Sequence, residues 1–394
     1  MCLAASCPAP ATCSRSCRPL HALRDAGHTL VVASAEPLRA EVEAAGLDFA
    51  PVGPPWHESD AEALTPGFQA TGPVGQARMF AELAPVVLPD LLTLVGDLQP
   101  DLLVREPYEF TAWLAAERCQ LPMVVHAIGV VSRSMAPLAA FAGEPLAAAR
   151  AAAGLPADPE LASLYGRGLI SFYPASLRFL PVPPPPVSPR LVRLPAPGPA
   201  QLPFERIRPG RPLIYITLGT VFNNTFVDLL RTLVAGVAAL EVEVLVTTGQ
   251  TVDPTALGSQ PKHVHAVRFI PQDQVLDAVA AVICHAGVGT VYGALSVGVP
   301  LVVAPLSADQ PICAMGCVLA GAAVSLPPVP PPEDVMAFVT DPAAVTAAQV
   351  SDATTRVLED PAYREAARRI AAEIVATPPP ASLVPWLASL SGVA

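Results

Sequence analysis

Residues Cys284 to Gln310 read CHAGVGTVYGALSVGVPLVVAPLSADQ, and four elements follow one another inside this run. The apolar AVIC before it is a buried strand that ends at His285. Gly287 and Gly289 form a turn, Thr290 opens a helix, PLVVAP is a second strand, and Asp309 and Gln310 start a second helix. Strands and helices joined this tightly predict parallel strands with helices packed on both faces. The residues between Asp277 and Asp309 include no Asp, Glu, Lys or Arg, a run long enough for a membrane helix. Gly287, Gly289, Gly293, Gly298, Pro300 and Pro305 break it into short pieces, which favours buried strand, turn and helix.

The same alternation extends upstream. PLIYITLG, VEVLVTTG and HVHAVRF read as strands, and FVDLLRTLVAGVAAL and QDQVLDAVA as helices; DQPICAMGCVLAG and AAVSL continue the series downstream as helix and strand. Before Leu180, HTLVVAS, DFAPVG, DLLVRE and PMVVHA alternate with helical PLRAEVEAAG, a stretch from about Gly75 to Leu98, and EFTAWLAAERC. Between the two series lies LPVPPPPVSPRLVRLPAPGPAQLP, whose prolines remove backbone donors and favour an extended spacer. A chain of 394 residues exceeds what one core serves, roughly 250 to 300 residues. The expectation is α/β architecture with two doubly wound, Rossmann-like domains facing a cleft. Residues 1–179 form the first, 180–203 the linker, 204–377 the second, and 378–394 a terminal helix packing back on the first.

Composition narrows function. Hydrophobic residues make up 52% of the chain and aromatics 5%, so Ala, Val and Leu fill the interior. Acidic residues outnumber basic ones 34 to 23, for a formal charge of -11, and no Lys/Arg stripe exists to neutralise phosphates, which excludes nucleic acid as a partner class. With no positively charged start followed by an apolar core, the expected location is cytoplasmic, without an integral membrane segment. Cys119, Cys284, Cys313 and Cys317 lie in apolar surroundings as reduced core residues. Cys2, Cys7, Cys13 and Cys17 match no common zinc spacing, and no metal cluster is evident elsewhere.

Amides at a helix start and the helix dipole suit a diphosphate, and glycines at Gly287 and Gly289 let the anion reach the backbone. His285 adds a hydrogen bond to the same anion; its plain alternative is an ordinary buried polar residue. Asp309 beside Gln310 suits sugar hydroxyls, which donate and accept; the alternative is helix capping by Asp309.

These residues resemble the inverting nucleotide-sugar glycosyltransferases of the GT-B fold, the family that includes UDP-glucuronosyltransferases and the enzymes that glycosylate macrolides and enediynes. The resemblance runs from about Pro19 to the C-terminus. It implies that His285, with the amides around Gly287, Gly289 and Thr290, holds the donor diphosphate, and that Asp309 and Gln310 hold the sugar. RFIPQ matches the base-binding loop, placing Phe269, Ile270, Pro271 and Gln272 at the nucleobase, with Ile270 contributing backbone contacts. LGTVFNN matches the loop after the second domain's first strand, placing Gly219 and Thr220 near phosphates or sugar. Without the resemblance, Pro271 and Gln272 read as a helix cap and Gly219 and Thr220 as a plain turn. The implied reaction moves a sugar from UDP or dTDP to a hydroxyl of an apolar small molecule, with inversion, without metal and with the nucleotide-sugar as co-substrate.

The chain departs from the family at its start. The family opens with a strand and a histidine-containing loop before a helix ending like ALRDAGH, which is intact here at Ala22 to His28. Counting back, the general base falls near Thr12 or Cys13, and no histidine precedes His21, which lies inside the helix. Residues 1–18 hold no apolar run long enough for a first strand and are rich in Ala, Pro, Ser, Arg and Cys, the composition of GC-rich DNA read in a wrong frame. A frameshift or misassigned start is expected, with a genuine degenerate relative as the rival. Glu106, after the strand DLLVR, is the family-implied orienter of the base; Glu109 lies nearby, and Arg105 offers Glu106 an ordinary ion pair instead. Trp56, Met79, Phe80 and Trp113 read as core or as an acceptor pocket. The rival functions are a non-catalytic relative that binds nucleotide or a partner, and a nicotinamide oxidoreductase, which the lack of G-x-G-x-x-G after either first strand disfavours. Sugar, acceptor and oligomeric state are not written in the residues.

Overall fold

The computed structural model describes residues 2–5, 20–55, 68–127, 129, 135–178, 189–194, 210–219, 226–249, 251–307, 309–331, 334 and 338–390. The chain divides into two compact units: Met1–Phe172 with Pro181–Pro195 and Thr377–Ala394, and Tyr173–Leu180 with Ala196–Ala376.

The first unit is built on seven parallel strands: β1 (Cys2–Ala5), β2 (Leu30–Ser34), β3 (Asp48–Pro51), β4 (Leu102–Arg105), β5 (Met123–Ala127), β6 (Gly168–Ser171) and β7 (Pro189–Leu191), in the order β3-β2-β1-β4-β5-β6-β7. Its helices are α1 (20–25), α2 (Arg39–Ala44), α3 (Phe68–Leu98), α4 (Phe110–Cys119) and α5 (Met135–Ala152). Helix α3 carries Ala77, Ala81, Ala84, Leu88, Leu91 and Val95 into the core at three- and four-residue spacing, the stripe a helix presents to a sheet. Ala77–Leu98 is also long and apolar enough to span a membrane by length and composition, with 33% of its most apolar window buried. Helix α4 starts where the Glu109 carboxylate accepts the amides of Thr111 and Ala112, at 3.0 and 2.8 Å, and stops at left-handed Gln120. On the opposite face, Leu383 and Leu387 from the C-terminal segment join Leu20, Leu30, Val104 and Val124 in one cluster.

Two expectations are corrected in this unit. Cys2–Ala5 do form a first strand, at the centre of the sheet, with Cys2 level with Leu30 on one side and Leu102 on the other. Four residues suffice there because ladders on both sides, not side-chain periodicity, hold a central strand. The proline-rich spacer likewise contributes β7, parallel to β6; Pro189 is tolerated as the first residue of an edge strand, where a missing amide breaks no central ladder.

The second unit has six parallel strands: β8 (Leu213–Thr217), β9 (Glu243–Thr247), β10 (Val264–Val267), β11 (Ala281–Cys284), β12 (Leu301–Val303) and β13 (Ala323–Ser325), in the order β10-β9-β8-β11-β12-β13. Around them lie α6 (Val227–Ala238), α7 (Val288–Ser296), α8 (Gln310–Leu319), α9 (Ala347–Glu359) and α10 (Pro361–Ala376). Ile214, Ile216, Val244, Val246 and Ile283 are fully buried against Leu229, Leu233 and Val350, each contributing about 1.5 to 3 kcal/mol by burial. Tyr173–Leu180 is tied to this unit by the Glu373 carboxylate, which accepts the amide of Ala175 at 2.6 Å. The helix expected at QDQVLDAVA is instead two 3-10 turns, Gln272–Gln274 and Leu276–Ala278. Val275 breaks the run at φ -130°, which brings both Val275 and Leu276 into the core just before β11.

Candidate active site

In the second sheet the order reverses between β8 and β11, and in open α/β sheets that switch point, at the carboxyl ends of the strands, is where ligands bind. Two turns meet there. Gly219, two residues past β8, has φ +80°, and a Cβ on it would stand 2.7 Å from Cε1 of His285. A Cβ on Gly287 would stand 2.9 Å from the same atom. The imidazole therefore occupies space that only glycines on both sides leave open. His285 is 8% exposed, and the next residue, Ala286, is fully buried at φ +63°. A residue with a Cβ in that region is strained, and such strain concentrates at functional sites.

Gly287 is the N-cap of α7 and no side chain caps the helix. The first amide with an intrahelical acceptor is that of Val291, bonded to the Gly287 carbonyl at 3.0 Å, so the amides of Val288, Gly289 and Thr290 open an uncapped helix beside His285.

The remaining sequence-derived residues lie along the same edge. Phe269, after β10, is 51% exposed, whereas Ile270 is buried. Pro271 precedes the first 3-10 turn, and Gln272 turns its Oε1 inward, buried without a hydrogen-bond partner among the described residues, near Gly293 of α7. Asp309 is the N-cap residue of α8, yet its carboxylate caps no amide, so the capping alternative does not describe it. Gln310 is 3% exposed, and its Oε1 accepts the amides of Leu306 and Ser307 at 2.8 and 3.0 Å. That carbonyl holds the loop after β12, leaving the Nε2 donor for other use. Thr220, Trp56, Thr12 and Cys13 lie outside the described residues.

In the first unit Glu106 follows β4 and is 2% exposed. Buried Arg105 donates to the carbonyls of Glu106, Pro107 and Glu109 and, from Nη2, to that of Leu164 at 2.6 Å, so its guanidinium braces the backbone of this turn. Glu109 is the cap of α4, and burial pushes its carboxyl up. Trp113 is fully buried in the core, with Nε1 donating to Ser163 at 2.9 Å, and Met79 is buried as well. One residue escaped the sequence reading: His126 in β5, 1% exposed, whose imidazole burial pushes down to about 4. Neither of its ring nitrogens has a partner among the described residues, and its only trace in the sequence is a polar residue inside the apolar strand MVVHA.

A doubly wound sheet with a histidine set between two glycines at its switch point, next to an uncapped helix start, is the arrangement expected of the GT-B class. Family profiles described as erythromycin biosynthesis protein CIII-like match residues 21–181 as the N-terminal domain and 231–390 as the C-terminal domain. L-demethylnoviosyl transferase of Streptomyces niveus is 32% identical over 93% of this chain and 92% of its own length. Tylactone mycaminosyltransferase of Streptomyces fradiae is 29% identical over 94% of this chain and 88% of its own. Among solved structures, the glycosyltransferase SnogD from Streptomyces nogalater superposes with a TM-score of 0.78 at 24% identity, covering 99% of both chains. The spinosyn rhamnosyltransferase SpnG, solved with spinosyn aglycone, does so at 0.76 and 25% identity, covering 98% of this chain and 99% of its own. The chain belongs to the erythromycin biosynthesis protein CIII-like family of GT-B glycosyltransferases.

Proposed function

We propose that this chain transfers a sugar from a dTDP-sugar to a hydroxyl of an apolar natural-product acceptor, with inversion at the anomeric carbon. One observation carries the reading: His285 set between Gly219 and Gly287 at the uncapped start of α7. A diphosphate placed there receives hydrogen bonds from His285 and from the amides of Val288, Gly289 and Thr290. Its developing charge on leaving is met by dipoles already in position. Phe269, half exposed at the end of β10, stacks on the base, with Ile270, Pro271 and Gln272 shaping that loop. Asp309 and the Nε2 donor of Gln310 take the sugar hydroxyls. The acceptor oxygen forms the new bond to the anomeric carbon as the bond to the diphosphate breaks, and its proton passes to a general base, a role for which the resemblance implies a histidine that residues 1–20 do not contain, with Glu106 as its orienter. The expected setting is the cytoplasm.

The test is calorimetric titration of dTDP and UDP, with His285→Ala alongside. Binding weakened by the substitution, about 10-fold or more, supports the site; no binding of either nucleotide to folded protein overturns it.

The absence of any histidine from residues 6–19 favours a second reading, a nucleotide-binding relative that lacks turnover. A positioned base contributes about 10² to 10⁴ in rate. Bound dTDP with no transfer from a dTDP-sugar to any acceptor of this apolar class supports that reading; measurable transfer rejects it.

A further inference from the structure

A chain of buried hydroxyls runs to the same edge of the second sheet. Tyr215 Oη lies 3.1 Å from Thr247 Oγ1, which donates to Thr217 Oγ1 at 2.9 Å, and the amide of Gly219 donates to that same oxygen at 3.2 Å. All three side chains are buried. Ile214, Ile216 and Leu218 face the core beneath α6 and α9, so Tyr215 and Thr217 point to the other face of β8. In register, Thr217 is level with Thr247 on one side and on the other with Cys284, the residue before His285.

The direction of this chain follows from donor and acceptor counts. A hydroxyl has one proton and two lone pairs. Both lone pairs of Thr217 Oγ1 are taken, by Thr247 and by the Gly219 amide, so only its own proton remains. Burial raises the Tyr215 phenol, keeping it protonated, and a phenol donates better than an alkyl hydroxyl. Tyr215 therefore donates to Thr247, whose proton goes on to Thr217, and each bond polarises the next. At the end of the chain stands the Thr217 proton; Tyr215 Oη, the described oxygen that also neighbours this hydroxyl, commits its own proton to Thr247.

We propose that the Thr217 hydroxyl contacts the donor directly, giving this proton to a diphosphate oxygen of the nucleotide-sugar. The strand order selects that part of the ligand. Phe269 follows β10 and Asp309 follows β12, so base and sugar lie toward opposite ends of the edge, with β8 and β11 between them. The role of Gly219 changes accordingly: its amide turns inward to Thr217, and its contribution is the space it leaves for His285.

The proposal rests on the donor-site reading, and the test separates the two. Wild type, Thr217→Val, Thr217→Ser, Tyr215→Phe and His285→Ala are titrated with dTDP and with thymidine, with folding checked by thermal unfolding. Thr217→Val is expected to weaken dTDP about 10-fold or more, leave thymidine unchanged, and be rescued by Thr217→Ser to within about twofold. Tyr215→Phe, which removes only the polarising end, is expected to cost dTDP about two- to threefold. If Thr217→Val binds dTDP like wild type while His285→Ala does not, the proposal fails and the donor site stands. An equal loss for thymidine and dTDP also overturns it, because that marks a deformed pocket. Should Thr217→Val not fold, a Thr217→Ser or Tyr215→Phe protein with dTDP affinity off the expected values decides against it. A wild type that binds neither ligand overturns both readings.

Discussion

The sheet order 3-2-1-4-5-6 is built twice, and the two copies treat their carboxyl edges differently. In the second unit β8 leads through Leu218 into Gly219, and polar groups gather at the switch point: His285, three helix-start amides and the Thr217 hydroxyl. In the first unit three polar side chains near the same edge turn inward. Arg105 braces four carbonyls, Glu109 caps α4, and His126 is sealed in the sheet. At one edge the groups collect around the switch point; at the other, Arg105 and Glu109 serve their own backbone.

That contrast predicts which property each substitution moves. The largest effect belongs to the first unit's interior: Trp113→Ala removes a fully buried indole and its bond to Ser163, and is expected to cost about 3 to 5 kcal/mol in denaturant unfolding while the folded protein keeps its dTDP affinity. A matching loss of nucleotide affinity would erase the distinction.

His126 comes next. Its folded value, about 4, lies below the ordinary 6.5, so the unfolded chain binds the proton more readily between those values. Its contribution is fully present above pH 6.5 and is lost as pH falls toward 4, by about 3 kcal/mol at one pKa unit per 1.36 kcal/mol. His126→Leu should lack this loss, so that its unfolding free energy relative to wild type rises by about 3 kcal/mol as pH falls from 6.5 to 4. An unchanged pH dependence would show that the imidazole is not sealed.

Gly287→Val inverts the pattern in the second unit, since its branched side chain meets the His285 ring. A loss of dTDP affinity of about 100-fold, near 2.7 kcal/mol, with a much smaller change in unfolding free energy is expected. Smallest is Ala286→Gly, which relieves φ +63° at the cost of a more flexible unfolded chain. A gain of about 0.5 kcal/mol in stability with dTDP affinity kept is the outcome; a loss would mean that the Ala286 methyl packs better than its strain costs.

The switch-point edge of the second sheet was legible because its parts are local. Strand, glycine turn and helix start sit within a few residues at Cys284 to Thr290, and Asp309 with Gln310 opens the next helix, so each could be named from spacing. What escaped were groups whose role depends on strands distant in sequence. Thr217 meets Thr247 only because β8 and β9 are neighbours, and nothing in PLIYITLG distinguishes its hydroxyl from that of any strand threonine. His126 was passed over because a lone histidine in an apolar strand says nothing about whether its nitrogens find partners. The opening strand and β7 were missed for a related reason: both are held by neighbouring backbones, which leave little mark on side-chain pattern.

Residues and spacings alone thus carry the two parallel sheets and the histidine and glycines at the switch-point edge, and resemblance carries the family, because hydrophobic periodicity and turn chemistry act over a few residues. The fold in space sets the rest: that Gly219 and Gly287 leave room for one ring, that Gln310 gives its carbonyl to a loop, and that a threonine proton ends a hydroxyl chain. Those facts depend on which strands become neighbours, and pairing across tens of residues is settled by the packing of whole sheets, not by any local run.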